Sequence, residues 1–230
     1  MKNVAIITAR GGSKRIPKKN IKFFRGKPMI AYSIEMALKS NLFDYIMVST
    51  ENAEIAEIGE RFGADVPFFR NEQTSDDFSN TSDVLIEVLN DLKKYGKQFD
   101  NACCIYPTAP LISLNSLTDS YSLLIENSFD TVFPVCAFSS PIQRALEINN
   151  SKTSMVYPEY MNARSQDLTP RYYDAGQFYW INIENFLQQG KLFTVNTGSI
   201  ILDELQVQDI DNDTDWKIAE LKHSLLFPNQ

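Results

Sequence analysis

Val4-Ala5-Ile6-Ile7-Thr8-Ala9-Arg10-Gly11-Gly12-Ser13-Lys14-Arg15-Ile16-Pro17-Lys18-Lys19-Asn20 decides the fold. Val4–Ala9 is a short apolar run with no polar alternation, the pattern of a strand buried on both faces in a parallel sheet. It breaks into a loop with two adjacent glycines and the five cations Arg10, Lys14, Arg15, Lys18 and Lys19. Paired glycines let backbone N–H groups turn toward an anion, and the carboxyl end of a parallel strand is where nucleotide phosphates bind. A solvated basic loop is the plainer alternative; position and the Gly11-Gly12 pair favour phosphate. The loop is neither GxGxxG nor a Walker A sequence, which argues against a dinucleotide oxidoreductase and a P-loop NTPase.

Working outward, strand and helix patterns alternate. Pro28 opens a helix through Ser40 with Ile30, Ile34, Ala37 and Leu38 on one stripe. Tyr45–Thr50 reads as a second strand, Ala53–Phe62 as a helix stopped by Gly63, and Val66–Phe69 as a short third strand. Ser79 or Thr81 is placed to cap a helix running to Tyr95. Ala102–Tyr106 and Thr131–Ala137 read as strands around a helix over Leu114–Ile125. Strands separated by helices of this length make right-handed βαβ units, so the expected class is α/β with a mostly parallel sheet flanked by helices. The rhythm breaks over 139–175, which is rich in proline, tyrosine and scattered charge. Phe178–Ile183 and Ser199–Leu202 resume strand character, and Asp213–Leu226 is a terminal helix with acidic residues at its start. Residues 1–230 are expected to form a single domain carrying an insertion at about 139–175.

The chain has 230 residues with 22 Lys+Arg against 29 Asp+Glu, a net charge of −7. That acidic balance argues against nonspecific binding to nucleic acid or anionic membrane, so a phosphate site must be a local basic patch. Nothing resembles a membrane span or a signal peptide, and Cys103, Cys104 and Cys136 are too few for a disulfide framework. A reducing, cytoplasmic setting is expected. The single histidine, His223, excludes histidine triads and multi-histidine metal centres. Chemistry is left to carboxylates, cations, backbone amides and an oxygen-loving metal.

Such a metal has a candidate site in Asp209-Ile210-Asp211, followed by Asn212, Asp213 and Asp215. On an extended segment Asp209 and Asp211 point to one side, and two carboxylates so placed suit Mg²⁺ that keeps waters and bridges to phosphate. Asp213 and Asp215 fit the first turn of the terminal helix, and capping of that helix by all four is the alternative.

ARGGSKRIPKKNI, followed by GKPMIAYSI and IMVSTEN, resembles the signature of the acylneuraminate cytidylyltransferases, and the likeness covers nearly the whole chain. It implies a Rossmann-like nucleotidyltransferase domain whose loop wraps CTP. By the same resemblance Arg10 and Lys19 hold triphosphate oxygens, Ser13 and Asn20 contact the nucleotide beside Gly11 and Gly12, and Asp209 and Asp211 carry Mg²⁺. Arg10, Lys19 and Asp211 are thus the catalytic candidates. Retention of Asn20 places the chain with the branch acting on nine-carbon sugars. Arg70, after Pro67-Phe68-Phe69, and Ser82, in a hydroxyl-rich helix start that follows Ser75-Asp76-Asp77, are candidates for base and ribose.

Tyr106-Pro107-Thr108-Ala109-Pro110-Leu111 resembles the family's Gln-Pro-Thr-Ser-Pro-Leu pocket segment, with Tyr106 in the place of the glutamine. Asp174-Ala175-Gly176-Gln177-Phe178-Tyr179-Trp180 resembles the branch acting on pseudaminic acid rather than N-acetylneuraminate or legionaminate. That makes Arg164 a candidate for the sugar carboxylate, for which its planar fork is suited, and Asp174 and Gln177 candidates for amides or hydroxyls. The insertion resembles the family's dimerisation arm, which implies a homodimer whose arm reaches the partner's site; Arg144 there fits either site or interface. The implied reaction joins CTP and a nine-carbon α-keto acid sugar. A nucleotide-binding homologue without turnover is the alternative, and the intact Asp209 and Asp211 speak against it.

Overall fold

A computed structural model describes residues 1–71 and 80–228. The first strand, β1 (Asn3–Thr8), is buried along nearly its whole length. A two-residue ladder, β2 (Phe23–Phe24) with β3 (Lys27–Pro28), closes the basic loop and feeds α1 (Met29–Ser40). Pro28 precedes the helix rather than opening it, and its own backbone belongs to β3. Next come β4 (Tyr45–Ser49), α2 (Ala53–Arg61), α3 (Thr81–Lys94), β5 (Asn101–Ile105), α4 (Leu114–Glu126) and β6 (Thr131–Ala137).

The expected strand at Val66–Phe69 is absent. Asp65 makes a single parallel bridge to Met47, and the chain then leaves the sheet. The helix expected to start at Ser79 or Thr81 begins at Thr81, capped by Asn80, whose side chain accepts from the Asp83 N–H in a reciprocal capping box. Ser75, Asp76, Asp77 and Ser79 lie outside the described residues.

After β6 a short 3-10 turn at Ile142–Arg144 leads to a hairpin of β7 (Leu146–Asn149) and β8 (Lys152–Met155). Asn150 and Ser151 both take positive φ, 49° and 63°, the conformation a two-residue hairpin turn requires. Two further 3-10 turns, Pro158–Tyr160 and Ser165–Asp167, bring the chain back to β9 (Tyr172–Asp174), which pairs antiparallel with β6. β10 (Phe178–Asn182), α5 (Ile183–Gln189), β11 (Thr197–Leu202) and α6 (Asp213–Leu226) complete the chain.

The main sheet runs β11-β6-β10-β5-β1-β4. β1 is parallel to both β4 and β5, and β6 to β11, while β10 runs antiparallel between β5 and β6. Alternation along β1 divides the core: Ala5 and Ile7 face α1, α2 and α4 through Ile30, Ile34, Ile55, Leu117 and Leu124. Val4 and Ile6 face α3 and α5 through Val84, Leu85, Val88 and Phe186. Trp180 is wholly buried, stacks on Phe43 at 5.0 Å and donates its indole N–H to the Leu117 carbonyl. α6 packs Trp216 and Ala219 on Phe24, Met29 and Tyr32, so the end of the chain braces the closure of the basic loop.

Candidate active site

The carboxyl ends of β1 and β5 open into a cleft of about 550 Å³ lined by Arg10, Lys19, Asn20, Arg70, Thr81 and Tyr106, with Ser13, Lys14, Arg15 and Thr108 also on its walls. Side chains from the basic loop, α3 and the end of β5 thus meet where a parallel sheet offers its ligand site.

The loop is held in shape by its own polar groups. Asn20 is buried and donates to the Arg10 carbonyl at 2.8 Å, while its own carbonyl accepts from Ile30 N–H. Ser13 donates from its hydroxyl to the Ile16 carbonyl at 2.6 Å. Gly11 donates its backbone N–H to Glu51 at 2.6 Å, and the other oxygen of that carboxylate accepts from Arg70 at 3.0 Å. A Cβ on Gly11 would sit 2.9 Å from the Asn52 side-chain amide and 3.2 Å from the Glu51 carboxylate, so a larger residue there would have to push those side chains aside. Gly12 meets no such crowding. With 4% of its side chain exposed, Arg70 has its ion pair with Glu51 inside the protein.

The acidic segment meets the basic loop at the cleft mouth. Arg15 donates to Asp211, and Lys19 Nζ lies 3.8 Å from the other Asp211 oxygen while donating to the Ile210 carbonyl at 2.6 Å. Burial lowers the Lys19 pKa from 10.5; Asp211 and Asp209 oppose that shift, and Arg15 and Arg10 reinforce it. Both carboxylates therefore act on the same ammonium. Asp213 and Asp215 lie in the first turn of α6, and Asp215 accepts from the Asp211 and Asn212 backbone N–H groups.

On the opposite wall Tyr106 shares a 2.9 Å hydrogen bond with Thr81, and its ring lies 5.6 Å from that of Tyr179. Burial raises the pKa of Tyr106. Ser82 sits on the same first turn of α3, half-buried, but is not among the lining residues.

Three of the sugar candidates lie elsewhere in the single chain. Arg164 is on the insertion with 72% of its side chain exposed, its fork closed on Asp167 at 2.7 and 3.1 Å. Asp174 is turned inward, accepting from Gly176 N–H at 2.8 Å and from the Tyr179 hydroxyl at 2.5 Å. Gln177 is 4% exposed and donates to the Gln206 carbonyl, while its amide oxygen has no hydrogen-bond partner among the described residues. The Asp174–Trp180 segment is thus two strands joined by a Gly176 turn, with side chains spent largely on packing. Arg144 donates to the Ala163 carbonyl within the insertion.

Glu51, Thr81 and Tyr179 were not among the site residues expected from the sequence, where Thr81 figured only as a possible helix cap. The signal for Glu51 was its place two residues past the end of β4, the strand paired with β1, which sets its carboxylate beside the loop. His223 is remote from the cleft lining, buried among Phe24, Tyr32 and Phe227.

Residues 4–209 match the profile of the cytidylyltransferase family. The chain belongs to that family. Among curated relatives of this cytidylyltransferase, a pseudaminic acid cytidylyltransferase of Campylobacter jejuni subsp. jejuni serotype O:23/36 (strain 81-176) is 40% identical, covering 98% of this chain and 97% of the relative. A CMP-N,N'-diacetyllegionaminic acid synthase of Legionella pneumophila is 28% identical over 96% of this chain and 95% of its own. Among solved structures, a CMP:2-keto-3-deoxy-manno-octonic acid synthetase complexed with CTP superposes with a TM-score of 0.72 at 17% identity, covering 98% of this chain and 99% of that one. A 4-diphosphocytidyl-2C-methyl-D-erythritol synthase of Anaerococcus prevotii gives 0.65 at 12% identity over 96% and 97%. These superpositions establish the mainly parallel α/β fold. Among the described residues no helix is long and apolar enough to cross a membrane.

Proposed function

We propose that the cleft transfers CMP from CTP to the anomeric hydroxyl of pseudaminic acid, releasing pyrophosphate. The observation that carries the reading is the meeting of Lys19 and Arg15 with Asp211 at the mouth of a cleft whose floor is the Arg10 loop. Cations for a triphosphate and carboxylates for its counter-ion occupy one place. The relative at 40% identity supports the choice of sugar, as does the form of Asp174–Trp180.

Phosphoryl transfer of this kind needs positioning and charge neutralisation more than covalent chemistry. Arg10 and Lys19 hold triphosphate oxygens, and the Gly11-Gly12-Ser13 backbone lies against them. Asn20 fixes the loop through the Arg10 carbonyl. Arg70 and Ser82 serve the base and ribose, and Tyr106 faces the sugar. His223, buried in its aromatic cluster, is not the base.

Among the described residues no cluster of three or more metal-ligating side chains occurs. The protein donor set is then the Asp209 and Asp211 carboxylates, which fits Mg²⁺, a cation that keeps water and phosphate oxygens as its other ligands. Asp209 and Asp211 would hold the cation, which would supply positive charge against the transferring phosphorus and the departing pyrophosphate.

The 1–230 chain works as one domain, in the cytoplasm, as a homodimer through the 139–175 arm. Leu146, Ile148 and Met161 are exposed at 61, 76 and 59% on that arm, more apolar surface than a free hairpin carries without a partner. Arg164 on the same arm reaches the sugar carboxylate in the partner's cleft. Asp211→Ala tests the chemistry: kcat should fall at least 100-fold with the melting temperature within a few degrees of wild type. An unchanged kcat would sink the metal assignment.

A further inference from the structure

Glu51 brings negative charge beside a loop whose cations are placed for a triphosphate. It is half-buried and absent from the described lining of the cleft. Coulomb repulsion alone makes such a carboxylate unfavourable to a bound polyanion. Its hydrogen bonds give it a different part. Oε1 accepts from the Gly11 N–H at 2.6 Å, and Oε2 accepts from Arg70 Nη2 at 3.0 Å. One carboxylate thus spans from the phosphate loop to a guanidinium of the cleft wall.

The backbone that carries Glu51 is tied to the same two neighbours. The Ser49 carbonyl accepts from Ala9 N–H and the Thr50 carbonyl from Arg70 N–H, each at 2.9 Å. Asn52 caps α2 through Ile55 N–H at 3.1 Å. The turn after β4 therefore holds the start of the basic loop, the Arg70 segment and a helix end together. Glu51 extends that hold into the side chains that face the ligand.

We propose that Glu51 is a positioning residue that couples the nucleoside end of the cleft, through Arg70, to the phosphate loop, through Gly11, so that filling one end sets the other. The proposal deepens, and rests on, the reading of the cleft as a CTP site with Arg70 at the nucleoside. A nucleoside that orders Arg70 orders Glu51 with it, and Gly11 carries that order into the loop. The cleft then favours a ligand that carries both parts over a polyphosphate alone. Such coupling is reciprocal and is measured as a ratio of affinities.

The probes are inorganic tripolyphosphate and cytidine, the two halves of the ligand on separate molecules. Cytidine is neutral, so it brings no charge for the polyphosphate to meet. Two variants separate span from charge. In Glu51→Gln the amide has one acceptor oxygen, and its NH₂ faces whichever donor that oxygen leaves. In Glu51→Asp the charge remains on a side chain one methylene shorter, too short to hold both donors; it serves if Glu51→Gln fails to fold.

Isothermal titration calorimetry reads the tripolyphosphate Kd with and without excess cytidine. In wild type, cytidine should tighten tripolyphosphate at least about fivefold. In both variants that factor should fall to near one, and the CTP Kd should rise about tenfold. An undiminished factor in the variants, or no factor in a wild type that binds CTP, would overturn the proposal. Tighter CTP binding by Glu51→Gln would also overturn it, since relieved repulsion alone gives that result. Loss of binding-competent protein with every Kd unchanged would mean packing only and would overturn it too. A wild type that binds no CTP would instead overturn the functional reading, and the proposal with it.

Discussion

Lys19 is a half-buried cation beside the anionic Asp209–Asp211 segment, and in the proposed function it also meets the triphosphate, so its protonation reports on both. Burial lowers its pKa from 10.5, so the ammonium proposed to hold triphosphate is lost at a lower pH than an ordinary lysine would lose it. CTP binding favours the charged form, and the CTP KM should therefore rise on the alkaline side before pH 10.5 is reached. Lys19→Arg should flatten that limb, since guanidinium stays charged; a limb of the same position in the variant would assign it to another group. Gly11→Ala is predicted to raise the CTP KM about tenfold, because the new methyl must displace Asn52 and the Glu51 carboxylate that shapes the loop. Asn52 also caps α2 through Ile55 N–H, so a stability loss of about 1 kcal/mol should accompany it in chemical denaturation. At this scale the sequence announced Arg10, Lys19 and Asp211 by residue type and strand-end position. It did not announce Asp174 as a buried acceptor, because that depends on a turn that folds the carboxylate inward onto Tyr179.

Two buried clusters outside the cleft lining brace the elements that form it. α6 seals the loop closure with His223, whose pKa burial lowers from 6.5 to about 4, helped by the charges of Arg25 and Lys27. The unfolded chain takes up this proton below pH 6.5 while the folded chain stays neutral until about pH 4. Stability is thus lost as pH falls through that window, by about 2 kcal/mol at pH 5. His223→Leu should lose less stability than wild type between pH 7 and pH 5; equal losses would contradict the burial of a neutral ring. At the opposite end of the sheet, the buried Asp130 carboxylate accepts from Asn185, Gln189, Thr194 and Asn196. Burial alone would raise its pKa, but these hydrogen bonds hold it below the usual carboxylate value. Asp130→Ala should cost at least about 2 kcal/mol in denaturant melts while leaving kcat unchanged at a permissive temperature. The long strands and helices were legible because burial imposes their periods. The β7–β8 hairpin was not, since its apolar residues face outward and give no core signal. Val66–Phe69 looked like a strand by composition and lacks a partner edge to pair with beyond Asp65.

The whole molecule joins an acidic body to a basic cleft and carries an arm whose apolar residues Leu146, Ile148 and Met161 find no cover among the described residues. Replacing Leu146 and Ile148 by lysine should shift the sedimentation coefficient from dimer to monomer and raise the sugar KM through loss of the partner's Arg164. A monomeric wild type would remove that role for the arm. The central claim concerns the reaction itself, and pyrophosphate release with CTP and Mg²⁺ tests it in parallel wells of pseudaminic, legionaminic and N-acetylneuraminic acids. The account predicts turnover with pseudaminic acid at a kcat/KM at least tenfold above the other two. Preferred turnover of another sugar would contradict the specificity while keeping the chemistry, and no turnover with any would contradict the account.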